Sequence, residues 1–246
     1  MFSYPYKTER KRGSKVAVVV GTKRVVLGRS IFRYSIITMI CLMVLFPLYW
    51  MIVTAIQPPD ITLMYPPVLY PQDPNLDGFR ELFRDNPMSK WLINSGFVAL
   101  LATLITTSFS VLGAYAISWF QWKGKTAFGL MLLFTQMLPE ALIVIPIYKI
   151  YDQMHMLNNL AALSLIHAAF VIPVGVWILR PAFESIPSEV IEAAQIDGCD
   201  HLAVLRKIII PLCSPAIMAV SVVSFFASWG DYLLAVTMIS KQELYP

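Results

Sequence analysis

The sequence predicts an all-α membrane protein with about five transmembrane helices, and three observations carry that prediction. Of the 246 residues, 57% are apolar and only 14% charged, against roughly 45–50% and 25% in soluble domains. The apolar residues come in long runs, and residues 34–59 hold no charge at all, whereas a helix crossing the bilayer core needs about 20 such residues. The 19 Lys and Arg are also unevenly spread between successive connections. This balance excludes secreted, fibrous and disordered classes.

Residues 1–33 form a basic tail with nine Lys/Arg against one acid, Glu9. The apolar run that follows is too long for a cleavable signal core and lacks a small-x-small cleavage site. The tail therefore reads as a cytosolic segment feeding a retained helix over 34–57. Basic clusters of this kind are ordinary beside a membrane span, so a nucleic-acid partner is not indicated. Residues 58–90 form an acidic loop, with Asp60, Asp73, Asp77, Glu81 and Asp85 against Arg80, Arg84 and Lys90.

Further spans are expected at 91–119, 127–148, 160–179 and 214–239, within a core covering 91–246. With the N-terminus inside, the cytosolic segments hold 14 of the 19 Lys/Arg, a positive-inside bias that places the 58–90 loop outside and residues 180–213 in the cytosol. Cys41, Cys199 and Cys213 show no metal-ligand spacing and read as free thiols.

Residues 180–213 read as a short helix, a tight turn and a second helix. Pro187 suits a first helical turn, Glu189 meets the positive helix end, and Gly198 can take the left-handed conformation. Asp200 can cap the second helix, whose last turn carries Arg206 and Lys207 before Pro211 stops it. Within this segment, Glu192-Ala193-Ala194, Gly198 after three intervening residues, Ile208 after nine more, and Pro211 resemble the EAA motif of ABC-importer permeases. Ile210 stands where that family usually has Leu. Leu138-Pro139 with Ile145-Pro146-Ile147-Tyr148, Pro173 with Trp177-Ile178-Leu179, and Trp229-Gly230-Asp231-Tyr232 are similar to further patterns of the sugar-importer group. Gly230 stands where Asn is common.

The resemblance implies a permease subunit of the inner or plasma membrane and not an enzyme. It further implies a second permease subunit, two ATPase subunits that bind ATP and Mg, and an external substrate-binding protein; no cofactor or metal is expected on this chain. Glu192, Ala193, Ala194, Asp197 and Gly198 are implied to form the coupling helix that docks on the ATPase. Such permeases usually have six spans, so five followed by residues 241–246 lead to the expectation of a chain shortened by truncation or incomplete sequence. Gly124-Lys125-Thr126 looks like the end of a P-loop, but Trp119 occupies the position of its first glycine, so ATP belongs to a partner.

Glu140, mid-way along span 127–148, is a substrate-path candidate because intramembrane acids are costly; a protonated Glu bonded to a neighbouring helix is the equal alternative. Ser221, Ser224, Ser228 and Asp231 fall at helical steps of three and four and share one face. Packing is favoured for the serines, as for Thr103, Thr107 and Ser110, and for His167, while Asp231 stays open. Asp231 and Ser228 join Glu140 as path candidates. A proton-coupled transporter using Glu140, His167 and Asp231, or an ABC importer of amino acids or peptides, are the competing readings. No HExxH, Ser–His or paired-carboxylate arrangement supports an intramembrane enzyme.

Overall fold

The computed structural model describes residues 16–62 and 64–246, with side chains described from Ser30 onward except Pro59. All regular structure among the described residues is helical. The chain divides into two compact units between residues 84 and 85.

The first unit is dominated by α1 (Val16–Ala55). Its Ser30–Ala55 part is long and apolar enough to cross a bilayer, about 39 Å at 1.5 Å per residue. Residues 1–15 of the basic tail lie outside the described residues. From Val16 the chain is already helical. The polar stretch beyond folds back on the end of this helix: Tyr49 Oη donates to the Leu69 carbonyl at 2.6 Å, and the Asn75 amide to the Ile56 carbonyl at 2.8 Å. It carries two short helices, α2 (Pro59–Thr62) and α3 (Asp77–Asp85). The Asn75 side chain accepts from the Asp77 amide at 3.1 Å, which fixes the start of α3.

The second unit is built around α4 (Met88–Trp119), α7 (Leu160–Glu184) and α11 (Ser214–Trp229). Small residues let these backbones approach closely, the usual means of packing where lipid removes the hydrophobic drive. Ala99, Ala102 and Ala114 of α4 are fully buried. A Cβ at Gly113 would lie 2.9 Å from Val176, and one at Gly175 would overlap the Ser110 side chain. The Thr107 and Ser221 hydroxyls meet at 3.0 Å, and Ser110 donates to the Ile172 carbonyl at 3.2 Å.

Two expected spans are broken. The 127–148 span is a pair of helices, α5 (Lys125–Thr135) and α6 (Glu140–Gln153), bent by 97°. Proline disfavours helix at the residue before it and cannot donate an amide; Pro139 sits extended at the joint, with φ −60° and ψ 127°. The 214–239 span stops at Trp229 and resumes as α12 (Leu233–Met238). Between them, Asp231 accepts from the Leu233 amide at 2.8 Å and so caps α12. Three single helices can span a bilayer, and up to five spans result when two bent pairs, Lys125–Thr135 with Glu140–Gln153 and His201–Leu212 with Ser214–Trp229, each count as one.

One end of this unit is stitched by polar contacts. Asn158 Oδ1 accepts from the Ser240 amide and hydroxyl and from the Lys241 amide, at 2.8–3.1 Å. Trp91 Nε1 donates to the Gln242 carbonyl at 2.9 Å, and Asn94 Nδ2 to the Tyr245 carbonyl at 3.0 Å. The starts of α4 and α7 thus share one end with residues 240–245.

Candidate functional site

Two places gather the residues singled out by sequence. The first is the 180–213 segment. Helix α7 reaches into it as far as Glu184, which accepts from Arg180 Nε at 2.8 Å. Helix α8 (Ser188–Ile196) follows, with Pro187 just outside rather than in its first turn, and with Glu189 inside that turn. Gly198 has φ +85°, the left-handed conformation that glycine supplies at a helix end. Asp200 accepts from the Ala203 amide at 2.7 Å and caps α9 (His201–Val204).

Pro211 does not stop this second helix. Residues Leu205–Ile209, which include Arg206 and Lys207, form a π-turn in which the Ile210 amide donates to the Leu205 carbonyl. The wider turn accommodates the proline ring that an α-turn would crowd. The chain then continues through α10 (Ile210–Leu212) and turns 81° into α11 at Cys213.

Ile191 and Ala194 of α8 are buried in the core beside Val204 and Leu205. Glu192, Ala193, Asp197 and Gly198 are exposed. Ala194 therefore packs inward. Sequence reasoning missed Ile196, 87% exposed, and Leu202, 66% exposed; an apolar residue on each side of a polar Asp-Gly turn was the available signal. The segment is tied to the end of α4 by Tyr115 Oη, 3.2 Å from His201 Nδ1 and from the His201 carbonyl.

The second place is a cavity of about 400 Å³ at the α5–α6 elbow, lined by Glu140, His167, Phe170, Phe226 and Asp231 among others. Glu140 stands at the elbow, in the first turn of α6. His167 is buried, with Nδ1 3.4 Å from Asp231 Oδ2. That oxygen is buried and lacks a hydrogen-bond partner.

Asp231 lies beyond the end of α11, so it does not continue the serine stripe. Ser224 and Ser228 are buried with unpaired hydroxyls, and Ser228 is not among the lining residues. The structure thus unites Glu140 and Asp231 and leaves Ser228 in the helix packing. Gly124, at φ +97°, begins α5, and Lys125 Nζ donates to the Ser118 carbonyl at 3.3 Å. Among the described residues no group of three or more His, Cys, Asp or Glu is set to hold a metal.

Residues 109–245 match the family described as binding-protein-dependent transport system inner membrane component. The chain is 30% identical over 231 residues to the sulfoquinovosyl glycerol transport system permease protein SmoH of Agrobacterium fabrum, covering 94% of this chain and 81% of that one. It is 31% identical over 215 residues to the trehalose/maltose transport system permease protein MalG of Thermococcus litoralis, covering 87% and 74%. It is 29% identical over 198 residues to the diacetylchitobiose uptake system permease protein DasC of Streptomyces coelicolor, covering 80% and 72%. A solved bacterial ABC transporter involved in the import of the acidic polysaccharide alginate shares the fold, with TM-score 0.72 and 22% identity over 96% of this chain and 80% of that one.

Proposed function

Because the chain belongs to the family of binding-protein-dependent transport system inner membrane components, and is thus a permease subunit of an ABC importer and not itself an enzyme, we propose that its cargo is a carbohydrate and that α8 couples it to an ATPase. The observation that carries the coupling is the exposed turn at Gly198, where Glu192, Ala193 and Asp197 face outward beside Ile196 and Leu202. Exposed carboxylates can pair with basic groups of a partner, Ala193 permits close approach, and the two apolar side chains supply buriable area. The tether from Tyr115 to His201 offers a rigid route into α4.

In this reading ATP and Mg sit on two separate ATPase chains. The N-terminus and α8 are cytosolic. A second permease subunit completes the path, and an external binding protein delivers the solute. The carbohydrate assignment draws on relatives named for trehalose/maltose and diacetylchitobiose. Glu140 and Asp231, at the elbow cavity, lie on the solute's route, and Ser228 supports the wall behind them.

The test is uptake by cells carrying or lacking this chain. Loss of saccharide uptake that is insensitive to a protonophore and abolished by ATP depletion is expected. Loss of amino-acid or peptide uptake instead overturns the carbohydrate assignment, and collapse with the proton gradient overturns the ATP coupling. Replacing Glu140 with Leu should alter the apparent affinity for the saccharide while the protein still assembles; unchanged kinetics remove Glu140 from the route.

A further inference from the structure

We propose that the elbow cavity is a charge-selecting subsite, which admits uncharged or amine-bearing saccharide units and turns anionic ones away. The inference rests on the carbohydrate reading above and adds the sign of the charge that the site tolerates. Its volume, about 400 Å³, lies in the range of small-molecule sites.

Two carboxylates face it, Glu140 and Asp231, and no Lys or Arg lines it. Each carboxylate is held by backbone geometry. Glu140 occupies the first turn of α6, where negative charge is favoured by the helix end. Asp231 spends Oδ1 on capping α12, with the Leu233 amide at 2.8 Å. Its Oδ2 is buried and has no hydrogen-bond partner; His167 Nδ1, which also lines the cavity and pairs with this oxygen only when protonated, stands 3.4 Å away. An ionised carboxylate only accepts, so this oxygen calls for a donor from whatever enters.

Hydroxyl and ammonium groups are donors, and the Phe170 and Phe226 side chains offer apolar walls for a sugar ring. A carboxylate, sulfonate or phosphate on the solute brings no donor and meets the two carboxylates, Glu140 and Asp231, across the cavity. Discrimination here comes from a built-in repulsive element more than from a tight contact.

The experiment probes the sign of the cavity without needing the solute. In a chain with Cys41, Cys199 and Cys213 replaced by serine, Ala227→Cys places one thiol on the lining. The assembled complex in membranes is reacted with three methanethiosulfonates of matched size, bearing trimethylammonium, hydroxyl or sulfonate, each rate divided by that with a free thiol. The expected ratio of cationic to anionic rate is at least about tenfold, falling to within about threefold when Glu140→Gln and Asp231→Asn are added.

A ratio near one in the parent chain overturns the proposal, as does a ratio unmoved by the two neutral variants, or a thiol that none of the three reagents reaches. None of these outcomes bears on carbohydrate import itself, which the uptake measurement decides separately. Where saccharide uptake stands, a matched set of neutral, amine-bearing and uronate-bearing disaccharides should compete in that order, the uronate at least about tenfold weaker. Equal competition by the uronate again overturns the charge selection.

Discussion

Gly198 concentrates a backbone constraint and an exposed surface in one residue. Its φ of +85° has open space around it, with nothing within 4 Å of a built Cβ. Gly198→Val should therefore cost only backbone strain, about 1–3 kcal/mol. The protein should insert and assemble, while saccharide-stimulated ATP hydrolysis by the complex falls at least about tenfold, the effect of a small misplacement at a docking contact. Gly198→Asn, which tolerates the left-handed region, should keep most of the activity, and wild-type stimulation in the valine variant would remove the coupling role of the turn. Asn158 makes a different kind of demand, because one carbonyl oxygen takes three donors from residues 240 and 241. Asn158→Ala should speed hydrogen exchange at the Ser240 and Lys241 amides by about five- to tenfold, the scale of one net hydrogen bond; unchanged exchange would show that other contacts hold this end.

At the scale of elements, the tightest constraint is the α4–α7 crossing at Gly175. Gly175→Ala forces its methyl into Ser110, an overpacking worth about 1–3 kcal/mol, seen as a lower melting temperature of the purified complex. Ser110→Gly in the same chain should restore it; a single alanine variant as stable as the parent would refute the close crossing. Much of this level was legible beforehand. Uninterrupted apolar runs gave α1, α4 and α7, and the left-handed Gly198 and the capping Asp200 stand where local chemistry placed them. The elbow was not legible as a break, because residues 127–148 carry no charge apart from Glu140 and only two further polar side chains, Thr135 and Gln136, and composition does not register a 97° bend. Pro139 carried that information, yet prolines at 146, 173, 181 and 211 sit inside or among helices without ending them. The same ambiguity let Asp231 pass for the end of a helical stripe. The meeting of Glu140 and Asp231 with His167 depends on three elements far apart in the chain, which no periodicity records.

At the scale of the whole molecule, the hydrogen bonds at the starts of α4 and α7 and the Tyr115–His201 contact mark opposite ends of the second unit. If α8 is cytosolic, Gln195→Cys should react with an impermeant thiol reagent only after the membrane is opened, and Gln153→Cys should react in intact cells. The reverse pattern would invert the orientation read from the basic residues. The close fit of α4 to α7 also has a consequence in time. The forty residues of the α5–α6 elbow and its flanks, 120–159, separate the two helices. At about 5–20 residues per second, the ribosome needs roughly 2–8 s to make that stretch. Through that interval the alanine-lined face of α4 waits in the bilayer without its mate, and a chain arrested there carries a span that membrane quality control can recognise as orphaned.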